Sequence, residues 1–485
     1  MAAIGTAEGV PNFDTRDRVD VAIVGAGTAG LAALREVRDR TNSFVLINGG
    51  PYGTTCARVG CMPSKTLIAA ANAFYLRTKL DEFGIRGGDR LVADIPAVLH
   101  RVRSLRDHFV AGVLKATEDL GDRKISGYAR LDGPGRLIVN DRVIQARQII
   151  LAPGSSPIVP KPWRALGSRI LTSDTLFEQE NLPPRVGVIG LGPLGVEIAQ
   201  ALARLGLEVY GFDALERVAG ISDEKVSAAA LNCLASEFAI HLGAQVDLAE
   251  VDDGVEIRWD DKNVVVDKVI VAIGRRPNLE GLGLETLGVP LDEKGMPEVD
   301  PSTMRIPGTS VLLAGDANGD RPLLHEAADE GHIAGLNATS DLPIQLPRRT
   351  PLSIVFCDPE IATVGQRAKD LDPETILIGE ASFAGQSRAR IMQENRGLLR
   401  LYAARQGGRL LGAEMAVPGA EHMAHLLALA IGQELTVHDL LRMPLYHPTL
   451  EEGLRTALRT IARQLPPCAL SDLARCGSLE VEALE

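Results

Sequence analysis

Residues 19–30 read VDVAIVGAGTAG. The first half, VDVAIV, is a largely apolar run of the kind that fills a buried parallel strand. The second half, Gly25-Ala26-Gly27-Thr28-Ala29-Gly30, carries glycine at its first, third and sixth positions, and a helical stretch, LAALREVRDR, follows. A GxGxxG pattern set between a strand and a helix is a dinucleotide-binding turn. Gly25 permits the tight turn, Gly27 lets the backbone approach a pyrophosphate, and Gly30 lets the helix pack closely on the strand. The helix N-terminus then faces the phosphates.

The same unit recurs 165 residues later. RVGVIG is its strand, Gly190-Leu191-Gly192-Pro193-Leu194-Gly195 its turn and VEIAQALARLG its helix, so Gly190, Gly192 and Gly195 repeat the three glycine roles. Two such units predict an α/β chain with two Rossmann-like dinucleotide-binding domains. A ribose-holding acid belongs about 20 residues beyond the first glycine. In the second unit Asp213 follows the strand LEVYGF. An acid there accepts from a 2′-hydroxyl and repels a 2′-phosphate, which favours NAD over NADP. The same offset in the first unit falls on Asn48, an amide that bonds a hydroxyl without a charge.

The whole chain fits that class. Its 485 residues are too many for one core and suggest about three or four domains. Hydrophobic content of 45% and charged content of 24% are those of a globular protein. A net charge of −12 disfavours nucleic acid and anionic membrane as partners. No apolar run reaches the roughly 18–20 residues of a membrane span. The opening MAAIGTAEGVPNFDTRDR lacks the apolar segment of a signal peptide and reads as a loose lead-in, which points to the cytoplasm.

The six cysteines are Cys56, Cys61, Cys233, Cys357, Cys468 and Cys476, which is no secreted disulfide framework. Cys56 and Cys61 stand out in TTCARVGCMPSK, residues 54–65. In a reducing compartment a close pair is catalytic or metal-binding more often than structural. No further cysteine or histidine cluster nearby completes a tetrahedral metal set, so no metal site is expected. Residues 65–80 read as an amphipathic helix with Pro63 in a first turn, which places Cys61 at the helix N-terminus, where the dipole stabilises a thiolate. Residues five apart on a regular helix are too far separated for a disulfide, so a bridge needs a local break, for which Gly60 is suited. On the residues alone the pair is either a working disulfide or two buried thiols.

The motifs together resemble the flavin-dependent pyridine nucleotide disulfide oxidoreductases, and within them the dihydrolipoamide dehydrogenases. The resemblance runs from about residue 19 to 465. TTCARVGCMPSK is similar to the family's redox-active signature, and Gly25–Gly30 to its FAD turn. Leu151-Ala152-Pro153-Gly154-Ser155 resembles the crossover into the NAD domain, and Ala272-Ile273-Gly274-Arg275-Arg276-Pro277-Asn278 the crossover out of it. Leu313-Ala314-Gly315-Asp316 resembles the second FAD motif, and His447-Pro448-Thr449-Leu450-Glu451-Glu452 the C-terminal acid/base motif.

The resemblance implies an FAD-binding domain whose first part is 1–155, an NAD-binding domain at 156–278, a central domain at 279–349 completing the FAD site, and an α+β dimerisation domain at 350–485. It implies FAD and NAD as cofactors. Cys56 would be the interchange thiol that meets the substrate, and Cys61 the thiol beside the flavin. Lys65 and Glu197 would form the ion pair near the flavin N5. His447 would be the base, oriented by Glu452 and supplied by the other subunit of a homodimer with a shared active site. Asn48, Thr55, Lys65, Gly154, Gly274, Arg275 and Asp316 join the glycines and Asp213 as cofactor-site residues. The implied reaction is oxidation of a protein-bound dihydrolipoyl group with NAD⁺. The alternatives are a glutathione- or mercuric-reductase-like disulfide reductase, or a flavoprotein docking or redox-sensing subunit.

Particular positions sharpen this. Ser64 favours the lipoamide or mercuric branch, and Asp213 disfavours the NADP-dependent glutathione reductases. Cys468 and Cys476 are eight apart and read as ordinary tail thiols, with an auxiliary redox pair as the alternative. Asn48 stands where the family has an acid, Pro193 where many relatives have a gating tyrosine, and Leu445 and Tyr446 where lipoamide dehydrogenases often read HAH, so the substrate pocket is expected to differ.

Overall fold

The computed structural model describes residues 18–466, and the lead-in up to residue 17, Cys468 and Cys476 lie outside them. Two compact units emerge. One comprises the described residues up to Arg58 with Asp107–Ser156 and Arg275–Arg348, and the other comprises Val59–Arg106, Pro157–Gly274 and the residues from Arg349 onward.

The first unit is built on the strand Arg18–Val24, which lies between Phe44–Asn48 and Arg142–Leu151 and runs parallel to both. Lys124–Ser126 continues the sheet beyond Phe44–Asn48, and Val311–Leu313 adds to Arg142–Leu151, again in parallel. Val21, Ala22 and Ile23 are fully buried, as a strand covered on both faces requires. The helix Thr28–Arg38 leaves the glycine turn and packs on the helix Leu324–Thr339. Gly331 allows this approach, because a Cβ there would strike the backbone of Ala29.

The second unit holds three sheets. A five-stranded parallel sheet runs Ala239–His241, Glu208–Phe212, Arg185–Ile189, Lys268–Val271 and Ile170–Leu171. A three-stranded antiparallel meander, Asp247–Val251, Gly254–Trp259 and Lys262–Val266, accompanies it. The C-terminal part is an antiparallel sheet of five strands, in the order Leu352–Val355, Ile361–Gly365, Leu410–Ala416, Leu398–Ala404 and Ile376–Ser382. The helices Ala420–Gly432 and Glu452–Ala462 close its core around Leu399, Leu401, Met423 and Leu458. This is the expected α/β architecture with an α+β C-terminal part.

The cysteine helix spans Cys61–Tyr75 and ends earlier than its amphipathic pattern suggests, passing into a 3₁₀ turn at Leu76–Thr78. Arg77 caps the stop. Its guanidinium covers the Phe74 ring at 3.6 Å and donates to the Phe74 carbonyl at 3.1 Å, satisfying an acceptor that another helical turn would have used. No helix among the described residues is long and apolar enough to cross a membrane.

Candidate active site

The two glycine turns are built alike, each within its own unit. Gly25 and Gly190 have φ of 104° and 94°, in the region that favours glycine. A Cβ on either would collide with a backbone carbonyl, that of Ala152 or Ala272. Gly27 and Gly192 face open space, so nothing of the protein occupies the place a pyrophosphate would take. Neither following helix has a side-chain cap or an acid in its first turn, which leaves the amide donors and the positive dipole end unneutralised. Both turns therefore fit a dinucleotide.

Asn48 and Asp213 do the same mechanical work. Asn48 Oδ1 accepts from the Ala26 amide at 3.1 Å, and Asp213 Oδ2 from the Leu191 amide at 2.6 Å. The amide thus braces its turn as the acid braces the other. The difference lies in the second polar atom. Asn48 Nδ2 donates to the Gly50 carbonyl at 2.6 Å, whereas Asp213 Oδ1 accepts from the Leu215 amide at 2.8 Å and keeps acceptor capacity.

The crossover residues meet in the first unit. Ser155 Oγ donates to Asp316 at 2.7 Å and accepts from Arg275 Nε at 2.8 Å, and Arg275 Nη2 donates to the Ser155 carbonyl at 2.7 Å. Asn278 ties the two crossings through the Gly154 carbonyl at 2.9 Å and the Pro153 carbonyl at 3.0 Å. Gly154 and Gly274 take positive φ at the two crossings. The contacts described for Arg275 thus serve the crossover. Glu330, unforeseen in the sequence, holds the Gly315–Asn318 turn that carries Asp316. It is wholly buried and accepts from the Gly315 amide at 2.6 Å and from Asn318 at 2.7 Å, while burial pushes its carboxyl above the ordinary range.

Cys56 lies in the short helix Thr55–Val59, which Thr54 opens by accepting the Ala57 amide at 3.1 Å. Gly60 breaks the helix and Cys61 begins the next one, with no acid in its first turn. Both cysteines are half-buried. Lys65 stands four residues after Cys61, one turn along the same helix face. Its ammonium meets both carboxylate oxygens of Glu197, at 2.9 and 2.8 Å, and lies 4.7 Å from the centre of the Phe356 ring. Glu197 is 3% exposed and takes a third donor, the Phe356 amide, at 2.9 Å. Burial pushes the thiols of the other described cysteines, Cys357 and Cys233, up and away from the reactive thiolate.

His447 and Glu452 are brought together by the loop that enters the helix Glu452–Ala462. His447 Nδ1 lies 3.0 Å from Glu452 Oε2, which fixes the ring. The carboxylate is buried but amply partnered, by the Thr449 amide at 3.2 Å and Arg455 Nη2 at 2.5 Å.

A buried polar group also escaped the sequence reading. Arg204 contacts Glu237 at 2.6 Å and Asp358 at 2.8 Å, and Asp358 meets Arg396 at 2.8 Å. The missed signal was Gln200 and Arg204 on the face that also carries Glu197, in an otherwise apolar helix. Burial acts to raise the Asp358 carboxyl, but Arg396 and Arg204 outweigh it and hold it below the usual range. A depressed carboxylate stabilises the fold fully above its unfolded pKa, about 3.9, and that contribution fades as pH falls through the native value. Asp358→Asn is expected to lose about 2–3 kcal/mol at neutral pH, allowing for the partial exposure of the side chain. Its Tm should also depend less on pH below about 4. Thermal melts across that range test both.

Residues 19–331 match the model of the pyridine nucleotide-disulphide oxidoreductases, and residues 352–458 match the dimerisation domain of that family. The chain is 31% identical over 468 residues to dihydrolipoyl dehydrogenase 3 of Pseudomonas aeruginosa, covering 90% of this chain and 97% of that one. It is 29% identical over 465 residues to dihydrolipoyl dehydrogenase 3 of Pseudomonas putida, covering 91% and 98%. Among solved structures, LpdA from Mycobacterium tuberculosis superposes with a TM-score of 0.79 at 25% identity, covering 91% of this chain and 99% of that one.

Proposed function

This chain belongs to the pyridine nucleotide-disulphide oxidoreductases, a flavoprotein family that uses FAD and NAD(H), and on that premise we propose that it oxidises a protein-bound dihydrolipoyl group with NAD⁺ as acceptor. The observation that carries the reading is the Lys65–Glu197 pair, held one helical turn beyond Cys61. A cation fixed there stabilises negative charge gathering at the first turn of the cysteine helix. The names of the relatives direct the choice of dithiol.

In this reading Cys56 and Cys61 form the oxidised disulfide. One sulfur of the dihydrolipoyl group, as thiolate, attacks Cys56 and releases Cys61 as thiolate. The second sulfur attacks the first, closing the lipoyl disulfide and releasing Cys56. Two protons leave the substrate, and His447 takes one at Nε2 as the incoming thiol ionises. Glu452 at Nδ1 sets the tautomer and stabilises the imidazolium. When bound, FAD supplies the two-electron relay between the dithiol and NAD⁺. The glycine turns at Gly25–Gly30 and Gly190–Gly195 would hold the two pyrophosphates, with Asp213 on the NAD ribose.

We further infer a homodimer in which His447 of each chain serves the cysteines of the other, and a cytoplasmic site of action where such thiols are kept reducible. The test follows NADH formation from dihydrolipoamide and NAD⁺ by the purified yellow protein, with glutathione disulfide and NADPH as the comparison. Turnover with the first pair alone is expected. Turnover with the second pair, or with neither, would overturn the choice of substrate.

A further inference from the structure

The helix Pro193–Arg204 buries Glu197, Gln200 and Arg204 at 3, 3 and 4% exposure. Spaced three and four residues apart, they share one face. All three hold the same passing segment, Phe356–Asp358. Glu197 accepts the Phe356 amide at 2.9 Å. Gln200 accepts the Asp358 amide at 2.7 Å and donates to the Asp358 carbonyl, also at 2.7 Å. Arg204 binds the Asp358 carboxylate at 2.8 Å. Arg204 also reaches the cysteine helix, donating to Asn72 at 2.6 Å with its guanidinium 3.9 Å from the Tyr75 ring centre.

This arrangement bears on Lys65. Its ammonium is a strongly hydrated charge on a flexible stem, and the side chain is still 34% exposed, so water competes for it. Two groups draw it inward, the Glu197 carboxylate and the Phe356 ring. Both depend on where Phe356–Asp358 lies, because the Phe356 amide orients the carboxylate and the segment carries the ring.

We propose that Gln200 and Arg204 are positioning residues for the redox site. By clamping Phe356–Asp358 to the helix, they keep Glu197 and Phe356 on Lys65, and so keep its ammonium beside the first turn of the cysteine helix. The proposal rests on the redox reading of Cys61 and Lys65 given above. Gln200→Met removes the clamp's hydrogen bonds at similar volume, and Arg204→Lys keeps the charge but loses the fork. Tyr402→Phe is the control for lost stability. It removes a buried hydrogen bond of 2.9 Å to Asp223 elsewhere in the same unit.

Two readouts on the full FAD-loaded chain decide the matter. Acetylation of Lys65 by acetic anhydride, followed by mass spectrometry, is expected to rise several-fold in Gln200→Met and less in Arg204→Lys. It should stay at the natural level in Tyr402→Phe. The long-wavelength thiolate–flavin band of the two-electron-reduced protein is expected to weaken in the same order. Unchanged Lys65 labelling overturns the clamp. Raised labelling with an unchanged band overturns its link to the redox site, and an equal response in Tyr402→Phe reduces it to general loosening. If the natural chain shows no such band, the redox reading fails, while Lys65 labelling still decides the clamp.

Discussion

Cys56→Ser is expected to abolish turnover of the dithiol while FAD stays bound. The substitution changes one atom, but a serine hydroxyl neither forms a disulfide nor ionises near neutral pH, so the exchange step loses the sulfur that the substrate attacks. The loss should be about three or more orders of magnitude, as for removal of a covalent catalyst. Cys56 lies outside the Gly25–Gly30 turn and outside the Ser155–Asp316–Arg275 cluster, so flavin retention should not follow activity. Flavin absorbance, NADH formation from dihydrolipoamide, and direct bleaching of the flavin by NADH separate these effects. Bleaching should persist, because it draws on the NAD side. Full dithiol turnover in this variant would remove Cys56 from the mechanism.

The second large effect is expected at His447. His447→Gln keeps a polar side chain of similar reach but has no group that gains and loses a proton near neutral pH. The dithiol half-reaction should slow by about 10²–10⁴-fold, the usual contribution of a positioned acid–base group. Reduction of the flavin by NADH should be untouched, and stopped-flow measurement of the two half-reactions reads the difference. Glu452→Gln should cost less, because the amide can still accept from Nδ1 although it no longer stabilises the imidazolium. Glu452 is held by Thr449 and Arg455 as well as by His447, so a melt must accompany the kinetics. Equal slowing of both half-reactions in His447→Gln would place the histidine outside the thiol step.

The parts of the molecule legible in its sequence are those whose physics is local. A strand, a glycine turn and a helix occupy consecutive residues, and only glycine accepts the φ of Gly25 and Gly190 beside a carbonyl that a Cβ would strike. The position of Cys61 at a helix start follows from Gly60 and Pro63 in the same few residues. His447 and Glu452 are five apart, so one loop suffices to join them. Each feature could therefore be read in chain order, and the family resemblance supplied the chemistry that links them.

Tertiary packing settled the remainder, because the partners there lie far apart in the chain. Lys65 and Glu197 are separated by 132 positions, so only the resemblance paired them, and nothing local shows that both oxygens of the carboxylate would turn to the ammonium. Phe356, Gln200 and Arg204 carried no motif; a buried polar face acquires meaning only when the segment it holds is known. Asn48 looked like a loss in the sequence, yet its amide oxygen braces the first turn as Asp213 braces the second. A residue type constrains which bonds are possible, but a side chain with several donors and acceptors spends them on whatever the fold brings within about 3 Å.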